Sequence, residues 1–256
     1  IALIARLELL DVHSPTPPSA ATKPHHPELI IGNVHIHWDP TFRDVKLVQA
    51  IMLAEELEKV VARAPKAGLV LCGAFNSLPD SGVLQFLANG AIGPKHQDFM
   101  EHTYEPYSNE GARHRLNLQN AFEGLMEGGL LPVTNFTPGF CGVIDHVLFK
   151  PGPLTLTGVL GGIPHDYLKH LVGFPTQHQP SDHVSLMAEF RVEHHQHPAP
   201  GQHAQPQGGP PGLVQFANTA NGGPTAKRSA PLRFGPPIVG GNTGGGNSSS
   251  SKGRNI

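Results

Sequence analysis

A change in composition at residue 195 most limits what this chain can fold into. From His195 to Ile256 the sequence contains 13 glycines and 9 prolines, so 22 of these 62 residues disfavour regular structure. That share exceeds the roughly 25–30 % above which a low-complexity segment becomes the usual outcome. The same stretch contains five lysines and arginines and no acidic residue. We therefore predict a folded domain at 1–194 and a disordered, basic Gly/Pro/Ser-rich tail at 195–256.

Within residues 1–194, short apolar runs alternate with helical patterns. Strands are predicted at 1–10, 29–37, 69–72, 143–149, 154–160 and 184–192, helices at 43–64, 81–87 and 118–125, and a Pro- and Ser-rich loop at 11–28. Asp80 or Ser81 can cap the second helix, and Gly90 can end it. Strands that alternate with a few helices favour an α/β fold, with two sheets packed face to face and helices outside.

The chain contains two cysteines, Cys72 and Cys141, and they form no C-x-x-C pattern. This indicates a reducing compartment, so we expect a cytoplasmic protein that can also enter the nucleus. No apolar run approaches the roughly 20 residues that span a bilayer, so we expect no membrane partner. Residues 1–10 lack the features of a signal peptide and are typical of a strand, so we expect part of the fold to lie upstream.

Asp145 is a carboxylate inside an apolar strand. The alternation of a strand places it on the same side as Val143, Val147 and Phe149. A carboxylate on such a face needs a partner, for example a histidine or a metal ion. The alternative is a structural aspartate that accepts hydrogen bonds from loop amides.

The strand predicted at 29–37 places Asn33, His35 and His37 on one face. Three polar side chains on one face predict the floor of a cleft, and a solvated outer face is the alternative. His35 and His37 could also bind zinc. Pro40, however, follows Asp39 at the position where the H-x-H-x-D-H pattern of zinc hydrolases has its third histidine.

Two further polar groups lie at strand ends, where catalytic residues are often held. Asn76 follows the buried strand at 69–72, although asparagine is also a common turn residue. Asp182 and His183 directly precede the strand at 184–192, and they could supply a metal ligand and a proton-handling imidazole. Polar clusters at several strand ends together predict one catalytic or binding site.

Seven sequence runs together resemble a known superfamily. They are NVHIHWDP at 33–40, DVKLVQ at 44–49, LCGAFNSLPDSG at 71–82, TNFT at 134–137, GVID at 142–145, GVLG at 158–161 and PSDH at 180–183. In this order they resemble the endonuclease/exonuclease/phosphatase superfamily, and within it the carbon catabolite repressor type of poly(A) deadenylase. The resemblance covers residues 1–192.

The resemblance implies a role for each matching residue. The implied catalytic residues are His35, Asn76, Asp145, Asp182 and His183, of which Asn76 and Asp182 also contribute to a metal site. His35 would contact the scissile phosphate, and Asp145 would orient the imidazole of His183. The implied substrate-binding residues are Asn33, Pro40 and Phe140, the last two at the terminal adenine. The implied reaction is two-metal, Mg²⁺-dependent removal of nucleoside monophosphate from the 3′ end of poly(A) RNA, within a deadenylase complex.

Two departures from the family pattern limit this expectation. The pattern around Asn76 is Asp-x-Asn, but Ala74 stands where the aspartate belongs. The main metal-binding glutamate of the family belongs to the first half of the domain, and we expect that half to be missing here. Hard cations need oxygen ligands, so we expect weak Mg²⁺ binding and no hydrolysis by this chain alone. The alternative is a pseudonuclease that binds RNA ends or complex partners without cleaving RNA.

Overall fold

A computed structural model describes residues 1–10 and 27–193. The predicted tail at 195–256 and residues 11–26 of the loop predicted at 11–28 lie outside these ranges, and Glu28 belongs to a strand. The strands are β1 (Ala2–Glu8), β2 (Glu28–His35), β3 (Gly68–Ala74), β4 (Ala91–Ile92), β5 (Ala112–Arg113), β6 (Gln119–Asn120), β7 (Asn135–Thr137), β8 (Phe140–Gly142), β9 (Asp145–Phe149), β10 (Leu154–Val159) and β11 (Ala188–Val192). The helices are α1 (Arg43–Arg63), α2 (Gly82–Asn89), α3 (Tyr107–Glu110), α4 (Glu123–Glu127) and α5 (His165–Leu168), with a 3-10 helix at Gln97–Phe99.

The main sheet has five strands in the order β1-β2-β3-β9-β6. Strands β2 and β3 are parallel and are joined through α1, and the remaining neighbours are antiparallel. Strands β10 and β11 form a second, two-stranded sheet. The rings of Phe149 and Phe190 lie 5.0 Å apart and connect the two sheets. The predicted α/β fold of packed sheets and outer helices is confirmed.

The long helix α1 covers the other face of the main sheet. Apolar buried residues of α1 recur at helical spacing, and they include Leu47, Ala50, Ile51, Ala54 and Leu57. They join one hydrophobic cluster with Ile30 and Leu71 of the sheet, while Phe149 and Leu154 belong to a second cluster on the opposite face. Gly32 permits this close packing, because an added Cβ would lie 2.8 Å from Leu71 Cδ1. The sheet is therefore buried on both faces in its centre.

The helix predicted at 81–87 is confirmed, with both of its ends as expected. Ser81 Oγ accepts a hydrogen bond from the Leu84 amide and caps α2. Gly90 ends the helix in the left-handed conformation, with φ of 73°. In the part of the chain that the structure describes, no helix is both long and apolar enough to cross a membrane.

Three sequence predictions of secondary structure were wrong. The strand predicted at 184–192 begins only at Ala188. The strand predicted to reach His37 ends at His35. The helix predicted at 118–125 is instead the edge strand β6 followed by α4. Asn120 causes this break, because its Oδ1 accepts a hydrogen bond from the Phe122 amide and turns the chain between the two elements.

Candidate functional site

The last residues of β2 and β3 and the first residue of β9 lie at one edge of the main sheet and form a row. His35 is the register partner of Ala74, and Ala74 is the register partner of Asp145. Register partners on adjacent strands point to the same face of a sheet. His35, Ala74 and Asp145 therefore share one face at one edge. A methyl group occupies the centre of this row.

Asp145 is paired with His183 at this edge. His183 Nδ1 lies 3.0 Å from Asp145 Oδ1 and 2.9 Å from Oδ2. The side chain of Asp145 is 17 % exposed and that of His183 is 36 % exposed. A carboxylate at Nδ1 holds a proton on that nitrogen, which leaves Nε2 as the nitrogen available to a ligand. The structure thus brings together the pair that the sequence placed 38 residues apart.

Asp182 is held by a residue to which the sequence analysis assigned no role. Asn135, which is 5 % exposed, donates from Nδ2 to Asp182 Oδ2 over 3.2 Å. Asn135 also forms an isolated β-bridge with His183. Asn135 belongs to the run TNFT at 134–137, which matched the family. Four residues of sequence do not show which side chain Asn135 contacts. Asn135 therefore belongs to the site as a support for Asp182.

Asn76 lies in the loop after β3 with a φ of 49°, in the left-handed region. Its amide N–H donates to the Ile144 carbonyl over 3.1 Å, which ties the loop to the residue before Asp145. Its Nδ2 donates to the Ile36 carbonyl over 2.9 Å, just beyond the end of β2. The side-chain donor is therefore used inside the loop. The side-chain oxygen Oδ1 is the atom that Asn76 can offer to a ligand or metal.

Two side chains of helix α1 form hydrogen bonds to the segments that follow β2 and β3. Lys46, which is 5 % exposed, donates from Nζ to the Asn76 carbonyl over 2.8 Å. Gln49 Oε1 accepts the His37 amide over 3.0 Å. Burial lowers the pKa of the Lys46 ammonium, although the nearby carboxylates of Asp39 and Asp98 oppose the shift. Both residues lie in the run DVKLVQ, which the sequence analysis matched without assigning them a role.

His146 follows Asp145 in the chain and, unlike His183, is a buried imidazole. It is 1 % exposed, Nε2 lies 3.0 Å from the Ser77 carbonyl, and Nδ1 lies 3.2 Å from Asn120 Nδ2. Burial lowers the pKa of His146, and the Ser77 carbonyl and the Asp145 carboxylate oppose the shift only in part. A neutral ring with its proton on Nε2 satisfies both contacts. His146 therefore has a structural role, in which its ring links the loop at Ser77 to Asn120 of β6.

The residues predicted to bind substrate lie on exposed segments. Asn33 is exposed on the same face as His35. Phe140 is 37 % exposed, and Gly142 makes room for its ring, since an added Cβ there would lie 2.9 Å from Phe140 Cζ and 3.0 Å from Leu78 Cδ2. Pro40 lies in an exposed turn after β2. Leu78 is an apolar neighbour of Phe140 that the sequence analysis did not single out.

His37 lies outside the row, contrary to the predicted shared face with Asn33 and His35. Its ring packs edge-on against Phe42, with the ring centroids 5.3 Å apart. The strand had to end because His37 donates its amide hydrogen to Gln49 rather than to a neighbouring strand. The zinc site considered for His35 and His37 therefore lacks its geometric basis.

The residues present do not fit a two-metal site. Within residues 1–10 and 27–193, no three His, Cys, Asp or Glu side chains are grouped so that they could hold one metal ion. Ala74 contributes no oxygen to the row between His35 and Asp145. Asn76 and Asp182, the predicted metal ligands, supply one amide and one carboxylate. Mg²⁺ keeps several waters when it is bound through one or two protein oxygens, so these two residues could hold one such ion but not a pair.

Comparisons with known proteins agree with the motifs. The chain matches the Endonuclease/Exonuclease/phosphatase family over residues 6–183. It is 43 % identical over 187 residues to the CCR4-Not complex 3′-5′-exoribonuclease subunit Ccr4 of Mycosarcoma maydis. It is 41 % identical over 194 residues to the subunit of the same name from Schizosaccharomyces pombe. These alignments cover 64 % and 67 % of this chain, but the chain spans only 28 % of the length of each relative.

A solved structure supports the fold independently. The chain resembles ANGEL2, a 2′,3′-cyclic phosphatase, with a TM-score of 0.54 at 22 % identity, over 65 % of this chain and 57 % of that chain. The resemblance to deadenylases drawn from the sequence runs is confirmed by these relatives. This chain therefore belongs to the Endonuclease/Exonuclease/phosphatase family, and within it resembles the Ccr4-type exoribonuclease subunits.

Proposed function

We propose that this chain recognises the 3′ end of RNA, with poly(A) as the substrate class, and that it does not hydrolyse RNA by itself. The observation that carries the proposal is the row at the sheet edge. Asp145 is paired with His183, and His35 lies two strands away in the same row, but Ala74 stands between them where the family pattern has a carboxylate. The residues that contact a phosphate are kept, and a ligand for a cation is lost.

The residues of the edge can bind a phosphate without a metal ion. Asp145 occupies Nδ1 of His183, so Nε2 of that ring is the nitrogen that can donate a hydrogen bond to a phosphate oxygen when it carries a proton. His35 is a second imidazole on the same face. Phe140, with Leu78 beside it, offers an exposed apolar surface on which a base can stack. Stacking of this kind contributes about 1–3 kcal/mol per base.

The relatives suggest the wider setting. They are named as subunits of the CCR4-Not complex, so we propose that the protein contacts other subunits of a deadenylase complex. We place this interaction in the cytoplasm, with the nucleus as a second compartment. An active 3′-5′ exoribonuclease is the second candidate function, and the identity of 43 % to a Ccr4 subunit favours it.

A binding and cleavage assay distinguishes the two functions. The chain is incubated with 5′-labelled oligo(A) and Mg²⁺, and binding is followed by fluorescence anisotropy while products are separated on a gel. We expect binding without a ladder of shortened products. We expect His183→Ala to weaken binding roughly 5- to 50-fold, the equivalent of about 1–2.3 kcal/mol for a charge-assisted hydrogen bond. His170, an exposed histidine outside the site, provides the matched control His170→Ala.

The outcomes are separable. A ladder that His183→Ala abolishes would establish the active nuclease and overturn the proposed lack of hydrolysis. Oligo(A) that does not bind, or that binds equally to wild type and His183→Ala, would overturn the proposal of a 3′-end site at this edge.

A further inference from the structure

Thr134 is a wholly buried residue that links the two backbone segments in which Asp145 and His183 lie. It is 0 % exposed. Its Oγ1 accepts hydrogen bonds from the amides of Ile144 over 2.9 Å and Asp145 over 3.0 Å. Its carbonyl accepts the Val184 amide over 2.7 Å. One residue therefore contacts the backbone on both sides of the pair.

These contacts supplement the strand pairing where the two residues meet, at the end of the β3–β9 ladder in which Asp145 pairs with Ala74. Strand β9 begins only at Asp145, and β11 begins only at Ala188. Asp145 and His183 thus lie at or before the first residue of their strands, where neighbouring strands constrain the backbone least. The side chain of Thr134 fixes the backbone at Asp145, and the carbonyl of Thr134 fixes the backbone at Val184, next to His183. Asn135, the next residue, pairs with His183 through a β-bridge.

We propose that Thr134 is a positioning residue that sets the Asp145 carboxylate against Nδ1 of His183 and so selects the tautomer of that imidazole. It touches neither the carboxylate oxygens nor the ring, and it acts through the backbone of Asp145 and Val184. A neutral imidazole carries its proton on one of two nitrogens, and the hydrogen bond at one nitrogen decides which. The inference rests on the proposed function in one respect, namely that the Asp145–His183 pair belongs to the RNA-binding site.

The hydroxyl group is the feature that matters. Valine has nearly the shape of threonine but no acceptor, so Thr134→Val leaves the buried amides of Ile144 and Asp145 without their partner. The start of β9 then has to shift toward another acceptor. Serine keeps the acceptor, so Thr134→Ser is the conservative variant. Thr157, an exposed threonine of β10 with one hydrogen bond to the Glu189 carbonyl, provides the control Thr157→Val.

The test reads the tautomer directly. The whole chain is labelled with ¹⁵N-histidine, and long-range ¹H–¹⁵N spectra are recorded at a pH where imidazoles are neutral. The signals of His183 are those that disappear in His183→Gln. We expect wild type, Thr134→Ser and Thr157→Val to show His183 protonated on Nδ1. We expect Thr134→Val to lose this signature, with the proton moving to Nε2.

Each other outcome contradicts the inference. If Thr134→Val keeps the Nδ1 signature, or if Thr134→Ser loses it, the hydroxyl group does not set the pair. If the valine variant does not fold, Thr134→Cys replaces it, because a thiol is close in size and a weaker acceptor; an unchanged signature there also overturns the inference. The spectra contain no RNA, so this failure is distinct from a failure of RNA binding.

Discussion

Replacing Ala74 with aspartate tests whether the missing carboxylate defines this site. The new side chain would lie between His35 and Asp145 in the row at the sheet edge. Cross-strand neighbours have Cβ atoms about 5 Å apart. Two carboxylates at that separation repel each other by roughly 1–3 kcal/mol for an effective dielectric constant between about 80 and 20. Ala74 and Asp145 are both half-buried, so the repulsion falls within this range.

We therefore expect Ala74→Asp to lower the melting temperature in the absence of divalent ions. A domain of this size loses about 2–4 °C per kcal/mol, so the expected decrease is about 2–12 °C. Millimolar Mg²⁺ should reverse most of it, because a cation that binds only the folded state stabilises that state. Wild type and Ala74→Asn, which adds a similar volume without a charge, should show no gain with Mg²⁺.

The assay is thermal unfolding of the three proteins with EDTA and with Mg²⁺. The reasoning is refuted if Ala74→Asp melts like wild type in EDTA, or if wild type gains as much from Mg²⁺ as the variant. Oligo(A) hydrolysis measured on the same samples should remain absent in Ala74→Asp, because a single added carboxylate leaves the metal ligands incomplete.

Two predictions concern stability. Burial lowers the pKa of His146 and His114 below the value of about 6.5 in an unfolded chain. Both bind fewer protons when folded, so their contribution is complete above about pH 6.5 and is lost as the pH falls from there through the lower folded values. Thermal melts between pH 8 and pH 5 should show this decrease, and a flat profile would contradict it. Asp98→Ala should cost about 1–4 kcal/mol in urea unfolding, since it leaves the buried Gly82 amide without its acceptor and removes a half-exposed pair with Arg43. Asp98→Asn keeps an acceptor and should cost less; equal losses would show that this hydrogen bond does not carry the effect.

Local chemistry explains the elements that could be predicted from the sequence. The helix α2 needs only a serine cap and a glycine in the left-handed conformation, and both are set by residues within or next to the helix. The helix over Arg43–Arg63 follows from its apolar spacing. The position of Asp145 on an apolar strand face indicated that it needs a partner. The family resemblance, not the strand pattern, implied that this partner is His183, and the structure brings the two side chains together.

The supports of the site could not be predicted in this way. Lys46 is read from the sequence as one more lysine of a helix, yet its ammonium lies buried against the Asn76 carbonyl. The sequence does not distinguish Thr134 and Asn135 from other polar residues. Only the fold shows that Thr134 bonds to Asp145 and that Asn135 bonds to Asp182. His37 was assigned to the wrong face because the end of β2 depends on a hydrogen bond from α1.

The sequence by itself determined which polar residues lie at the strand ends of this protein, and comparison with the family pattern showed that Ala74 replaces a carboxylate. It did so because alternation along a strand and capping of a helix act over a few neighbouring residues. Only the tertiary structure decided how those residues are held: His183 reaches Asp145 across 38 positions, and Asn76 is tied to Ile36 across 40. Contacts over such separations depend on how sheets and helices pack, and no local pattern records that packing.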